Sequence, residues 1–311
     1  MSSDSPPLII IVGPTAVGKT GISIQLAKAL NGEIVSADSR LFYCGMDIGT
    51  AKPSIAERAQ VPHHLIDVAD PDETWTLAIF QQKAREIIYA IHTRGHLPFL
   101  VGGTGQYIRA VTQNWQPPVQ EPDQRLRTVL QNLANEKGVF WIHEKLRMLD
   151  PLTANTIDPR NIRRTIRALE VIFHTGRRAS VQRVQGESPY RILIIGLNRP
   201  RVELYARVDA RIEAMFASGF IDEVKGLLQR GYSPDLPTMS AIGYRECVAV
   251  LQHQLSLEEA MRHIKRATRI FIRRQANWFK KSDPVIHWFE AGSTEVFDNV
   301  KRTIFTWLKS E

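Results

Sequence analysis

An apolar run, Leu8 to Val12, passes directly into Gly13, four further residues and then Gly18-Lys19-Thr20, and no other feature constrains the fold as strongly. Glycine lets a backbone approach phosphate oxygens, successive N–H groups line the concavity, Lys19 supplies a point charge, and Thr20 offers a hydroxyl to a metal. The residues that follow, Gly21 to Leu30, carry apolar side chains at helical spacing, so the loop opens a helix as that chemistry requires. A strand, a glycine-bounded loop and a helix in this order read as a phosphate-binding site rather than an ordinary turn. The pattern leaves open whether the ligand is a nucleotide.

Further apolar runs at 33–36 and 97–101 also end in glycine or polar turns, and helical periodicity separates them, most clearly from Thr74 to Thr93. That alternation predicts an α/β fold, a P-loop NTPase-like parallel sheet flanked by helices. In such sheets ligands gather at the carboxyl ends of strands, here Gly13–Thr20, Ser36–Ser39 and Gly102–Gly105. After Trp115 the texture changes. Gln116-Pro117-Pro118 reads as a linker, and Pro122 to about Pro189 is helical in pattern, polar and arginine-rich, so a small helical domain is expected as an insertion. Tyr190 to Leu197 is again a buried-strand run that should return the chain to the sheet. The expected organisation is a discontinuous core, 1–115 plus 190–311, around an insertion at 116–189. Beyond Arg201 the periodicity is helical, through Val202–Ser218, Ile221–Arg230 and Ser256–Lys281.

No apolar run approaches the length of a membrane span and the amino terminus lacks a signal-peptide pattern, so no membrane partner and a cytoplasmic location are expected. Cys44 and Cys247 have no Cys or His at metal-ligand spacing and read as reduced packing residues. The 311 residues carry a net charge of +8, and its distribution is informative. Arg262 to Lys281 holds eight Lys or Arg and no acid; on a helix Arg262, Arg266, Arg269, Arg273 and Lys280 share a stripe opposite Ile264, Ala267, Phe271 and Trp278. With no compensating acid in the window, that face suits a polyanion or a diphosphate. Within the insertion, the window from Asp158 to Arg183 repeats the theme, with Arg160, Arg163, Arg164, Arg167, Arg177, Arg178 and Arg183 against only Asp158 and Glu170.

Asp38 follows the strand Glu33-Ile34-Val35 and should lie beside the phosphate cradle, able to help hold a metal or to take a proton from a nucleophile. Val101-Gly102-Gly103-Thr104-Gly105 sets three glycines around one hydroxyl before a possible helix start, so its amides would form a second anion-binding concavity with Thr104 aimed at a leaving-group oxygen. Met46 to Pro53 is too polar for core and reads as a functional loop. His63 and His64 are neighbours that a strand would point to opposite faces, which disfavours a shared metal.

The ordered motifs GPTAVGKT (13–20), SADS (36–39), YCGMDIGTAKP (43–53), PHHLID (62–67), VGGTGQYIRA (101–110), NIRRTIRALEV (161–171), AIGYRE (241–246) and RRQANWF (273–279) resemble the tRNA dimethylallyltransferases, also called tRNA isopentenyltransferases, over nearly the whole chain. The resemblance implies transfer of a dimethylallyl group from dimethylallyl diphosphate to the N6 amine of the adenine 3′ of the anticodon, in tRNAs that read codons beginning with U. It implies Asp38 and Thr104 as catalytic residues, and donor binding by Gly13, Pro14, Thr15, Ala16, Val17, Gly18, Lys19 and Thr20, with Arg245. It sets Ser39, Arg40 and Leu41, and Arg163, Arg164, Thr165, Ile166 and Arg167, against the tRNA anticodon stem-loop, together with Arg127, Arg273 and Gln275. Mg2+ is the implied cofactor, held by Thr20 directly or through water, and a monomer is expected. Many family members carry Gln where this chain has Leu41, and Thr where it has Asn277.

Physical chemistry accounts for the reuse of the loop. An allylic diphosphate reacts as negative charge moves onto the leaving group, and loop amides, Lys19, Thr104 and a metal face that charge. An exocyclic amine is a poor nucleophile, so a carboxylate at Asp38 would take its proton as the C–N bond forms. Three other readings compete. An adenylate dimethylallyltransferase would have no use for the arginine-rich insertion. A small-molecule P-loop kinase would need lid arginines and an acceptor site beyond the motifs already assigned, and a non-catalytic nucleic-acid module would leave Asp38 and Thr104 unexplained.

Overall fold

β-Branched runs with no polar interruption can be satisfied only where both faces of a sheet are covered, and the first strand meets that condition. A computed structural model describes residues 5–113, 123–182 and 186–310. In it β1 (Pro7–Val12) lies between β4 (Leu97–Gly102) and β5 (Arg191–Asn198), within a six-stranded sheet of order β3-β2-β4-β1-β5-β6 whose every recorded pairing is parallel. β2 spans Gly32–Ser36, β3 His63–His64 and β6 Ile286–Glu290. Along β1 the side chains alternate: Leu8, Ile10 and Val12 enter one core, Ile9 and Ile11 the other. Helix α3 (Leu77–Thr93) covers the first face with Phe80, Ala84, Ile88 and Ile91. The second face packs against α1 (Lys19–Ala29), α10 (Arg201–Ala217) and α14 (Val296–Lys309).

The chain divides into two compact units, residues 1–112 with 188–311, and residues 113–187. Within the second unit α5 (Gln124–Lys137), α6 (Val139–Leu149), α7 (Pro151–Thr156), α8 (Ile162–Thr175) and α9 (Ala179–Gln182) share a core that includes Leu130, Ile142, Leu146 and Leu169. The linker reading at Gln116–Pro118, and Arg183, lie outside the described residues. No described helix is long and apolar enough to cross a membrane, and Cys44 and Cys247 are both free.

Two differences from the sequence expectations stand out. The edge strand β6 was not anticipated, and the long helical segment stops early: α13 runs Leu257–Gln275, and Ala276 to Trp278 form a turn. Trp278 and Lys280 therefore leave the helical stripe on which periodicity placed them. Trp278 instead packs where a Cβ on Gly105 would stand 2.5 Å from its indole, with Arg109 5.2 Å from the ring centre.

At the opposite end of the sheet from the strand termini that carry the motifs, β2 buries Glu33. Arg94 donates through Nε (2.9 Å) and Nη2 (2.7 Å) to its two carboxylate oxygens, and His64 Nε2 and His96 Nδ1 lie 2.6 and 2.7 Å from them. Burial raises this carboxyl, but the hydrogen bonds from Arg94, His64 and His96 and the Arg94 charge outweigh it, holding it at about 2 against an ordinary 4.5. A depressed carboxyl contributes stability above its unfolded pKa and loses it as pH falls through the folded one. Glu33→Gln is expected to destabilise the protein by about 1–3 kcal/mol at neutral pH. In urea melts across a pH series, the gap from wild type should close between pH 4.5 and about 2.

Candidate active site

A cradle for phosphate needs its carbonyls engaged away from the ligand, and the turn after β1 meets that condition. Gly13 (φ +152°) and Gly18 (φ +110°) adopt backbone conformations that side chains rarely tolerate, and a Cβ on Gly13 would stand 2.5 Å from the carbonyl oxygen of Leu197 on β5. Lys19 Nζ donates to the carbonyls of Gly13 and Pro14, both at 2.9 Å. From α10, Arg207 Nε donates to Ala16 O (2.8 Å), and just before that helix Arg199 Nε donates to Val17 O (3.0 Å). The amides of Lys19 and Thr20 open the first turn of α1, where a helix leaves donors without internal partners. Burial pushes the Lys19 ammonium down to about 8; Asp38 opposes that shift and Arg211 adds to it.

The strand ends of β2 and β4 complete the rim. Asp38 accepts a hydrogen bond from the Arg40 amide (3.0 Å) through Oδ1, which orients the carboxylate. Thr104 precedes α4 (Gly105–Thr112), and its carbonyl accepts the amides of Tyr107 and Ile108. Gln275, the last residue of α13, ties the two glycine loops together: its Oε1 accepts the Thr15 amide (2.9 Å), and its Nε2 donates to Gly103 O (3.3 Å).

Between these groups lies a cavity of about 480 Å³ lined on its polar side by Thr15, Asp38, Ser39, Arg40, Thr104 and Arg274. Arg211, from α10, also faces it and has no hydrogen-bond partner among the described residues. Burial, with Arg207 nearby, lowers its pKa. A guanidinium unpaired in a cavity beside a phosphate loop favours an anionic ligand there. The sequence reading passed over Arg211 because Asp209 and Glu213 flank it and α10 reads as a charge-balanced surface helix; the Arg207/Arg211 spacing was the only signal.

The polar loop 46–53 forms part of the cavity wall through Gly49, Thr50 and Ala51. Its shape is fixed by Glu223 of α11 (Phe220–Gln229), whose carboxylate accepts the amides of Asp47 (2.9 Å), Ile48 (2.6 Å) and Gly49 (3.3 Å) and the Tyr244 hydroxyl (2.6 Å). Burial and the Glu223 charge drive the Tyr244 phenol far up, so it stays protonated and donates. On the far side of the loop, buried Lys52 donates to Tyr43 O (2.9 Å) and pairs with Asp47 and Asp67. PHHLID and DIGTAKP thus meet in one ion-paired network, and His63 and His64 serve structure; no group of three or more His, Cys, Asp or Glu is poised to hold a metal among the described residues.

Several expected site residues are placed differently. Arg245, expected at the donor, lies on α12 (Tyr244–Leu251), exposed and paired with Glu246, and does not line the cavity, whose cations are Arg40, Arg211 and Arg274. Gln275, expected against RNA, is buried with its amide committed to the two loops. Ala16 and Val17 have buried side chains and can offer a ligand only backbone. In the insertion Thr165 and Ile166 are buried, so neither side chain is open to RNA, and Arg127 and Arg167 both bind the buried Glu170 carboxylate. Arg163 and Arg164 are exposed on α8. The cationic face of α13 is partly compensated after all: α10 sends Asp209 to Arg269 and Glu213 to Lys265, while Arg262, Arg266 and Arg273 stay exposed.

Comparison with known proteins agrees with this architecture. The sequence profile of the family described as IPP transferase matches residues 41–282. The chain belongs to the IPP transferase family. It is 53% identical over 280 residues to a tRNA dimethylallyltransferase of Roseiflexus sp. (strain RS-1), covering 90% of this chain and 92% of the relative. Among solved structures it is similar to the tRNA isopentenylpyrophosphate transferase of Bacillus halodurans, with a TM-score of 0.73, 42% identity and 97% of each chain covered. A eukaryotic dimethylallyltransferase acting on tRNA gives a TM-score of 0.81 at 27% identity, over 96% of this chain and 78% of that one. As for the other members of the family, a parallel sheet with a P-loop frames the site.

The brace between the glycine loops gives a direct test of their joint role. Gln275→Ala is expected to weaken binding of inorganic diphosphate by about tenfold, read by titration calorimetry, because two loop positions lose their partner. Unchanged diphosphate affinity would mean the loops hold their shape without it.

Proposed function

We propose that this chain is a tRNA dimethylallyltransferase that joins the dimethylallyl group of dimethylallyl diphosphate to the N6 amine of the adenine 3′ of the anticodon, in tRNAs reading codons that begin with U. The observation that carries the reading is one cavity that sets Thr15 of the phosphate loop, an arginine unpaired among the described residues, a carboxylate and a hydroxyl against an apolar wall. A kinase would need the cradle; it would have no use for the apolar wall.

In the reaction the allylic C1–O bond breaks and its electron pair leaves with the diphosphate, while the N6 lone pair forms the new C1–N bond. The amides at the start of α1, Lys19 and Arg211 stand where the leaving oxygens gain charge, and Thr104 donates to one of them. Asp38 takes the proton that N6 releases. Magnesium suits this donor set, because it keeps several waters and takes one or two protein oxygens alongside phosphate oxygens, which the Thr20 hydroxyl beside the cradle provides for without an all-protein cage. When bound it adds positive charge against the leaving diphosphate.

The tRNA side rests on Ser39, Arg40 and Leu41 at the end of β2 and on Arg163 and Arg164 of α8. The target base must leave its stack to reach a cavity, and phosphate contacts from arginine hold the loop while it does. The cytoplasm is the location consistent with this substrate.

Three measurements test the reading. Labelled dimethylallyl diphosphate incubated with unmodified tRNA or with AMP should label tRNA alone; label in AMP would return the adenylate-modifying alternative. Asp38→Ala should slow single-turnover transfer by about 10² to 10⁴ fold with tRNA affinity nearly intact. Replacing Arg163 and Arg164 together should weaken tRNA binding and flatten its salt dependence by a slope of roughly 1 to 2, since fewer counterions are released. A salt slope equal to wild type would remove these arginines from the RNA contact.

A further inference from the structure

The cavity has a direction. Arg207 fixes the early part of α10 to the phosphate loop through Ala16 O, and the same helix then presents Arg211, Ile212 and Met215 to the cavity. Met215 lies eight positions beyond Arg207, a rise of about 12 Å along the helix from that anchor. At the turn that follows, α11 begins with Phe220, which also lines the cavity while being almost wholly buried. One end is therefore cationic and hydrogen-bonding and the other is apolar, so a diphosphate anchored at the loop directs its hydrocarbon toward Met215 and Phe220.

We propose that Phe220 is the specificity-determining residue that limits the donor to a single isoprene unit, its ring closing the apolar end of the cavity. The assignment rests on the prenyl-transfer reading given above and deepens it.

The ring is held from several sides. Phe216 and Tyr244 pack edge-on against it, with centroids 5.6 and 5.1 Å away. A Cβ on Gly243 would stand 2.9 Å from the ring, and one on Gly49 would overlap both Phe220 and Tyr244. Gly49 cannot retreat, because Glu223, one turn along the same helix as Phe220, holds the amides of Asp47, Ile48 and Gly49 and the Tyr244 hydroxyl. A wall of this kind does not yield to a longer ligand by rotating a side chain. Geranyl diphosphate adds a second isoprene unit, about the size of the ring that Phe220→Ala removes.

Wild type, Phe220→Ala, Phe220→Leu and the milder Met215→Ala are compared with dimethylallyl and geranyl diphosphate on unmodified tRNA, the product read by the mass of the modified nucleoside. Folding of each variant is checked by thermal melting, and the two milder variants keep the test open if the alanine at 220 does not fold. Wild type should prefer the shorter donor, and the geranyl-to-dimethylallyl ratio of kcat/KM should rise by about tenfold or more in Phe220→Ala, the scale on which apolar pockets discriminate by size, with smaller rises in the other two. A ratio unchanged in folded variants, or wild type using both donors equally, overturns the assignment of Phe220 while leaving the prenyl-transfer reading in place. No transfer by wild type from either donor would overturn that reading itself.

Discussion

The carbonyl oxygens of the phosphate loop face a conflict that the rest of the site is built to resolve. A backbone that turns its amides toward an anion must find other partners for its carbonyls, and carbonyls left pointing at a phosphate would repel it. Gly13 and Pro14 give theirs to Lys19, Ala16 to Arg207 and Val17 to Arg199. Each donor is a cation, so the groups that fix the backbone also set a positive potential around the concavity. Arg211 adds a charge with no hydrogen-bond partner among the described residues, and Asp38 is the nearby carboxylate that keeps the Lys19 pKa from falling further.

The apolar half of the site depends on a different constraint, steric rather than electrostatic. Loop 46–53 carries left-handed Ala51 and close-packed Gly49, and it holds its course because Glu223 collects three successive amides. Lys52 does the same from the other side with carboxylates. The loop also sends Met46 into the core, with Ile48 packed against it, although its polar composition suggested otherwise, and the cavity wall it forms is held from both sides.

How much of this the sequence disclosed follows from the range of the forces involved. The central strands β1, β2, β4 and β5 are buried on both faces, and uninterrupted apolar runs report that condition locally. β6 is an edge strand whose His287 and Glu290 are exposed, so it left no signal, and two-residue β3 is too short to show a period. α13 stops without glycine or proline, and RRQANWF continues the helical pattern past the true end. Asp38, Thr104 and the loop were legible because strand ends announce themselves. Arg211, Glu223 and Gln275 were not, since each acts on a backbone or cavity far away in sequence, and Gln275 read from its motif alone suggested RNA rather than a brace. Arg245, which the resemblance implied at the donor, pairs with its own neighbour Glu246.

The bond between Thr15 and Gln275 joins residues 260 positions apart. The phosphate loop is made well before its braces Arg199, Arg207 and Gln275, and β1 receives its β5 neighbour only after the insertion has been synthesised. During vectorial synthesis the amino-terminal strand and its glycine loop therefore wait, apolar on both faces and half-paired, for most of the chain to follow. Contacts of such sequence separation make folding slow and leave an intermediate with an open strand edge. Chemical competence thus arrives late, since a nascent chain acquires a finished phosphate cradle only once Gln275 has been translated.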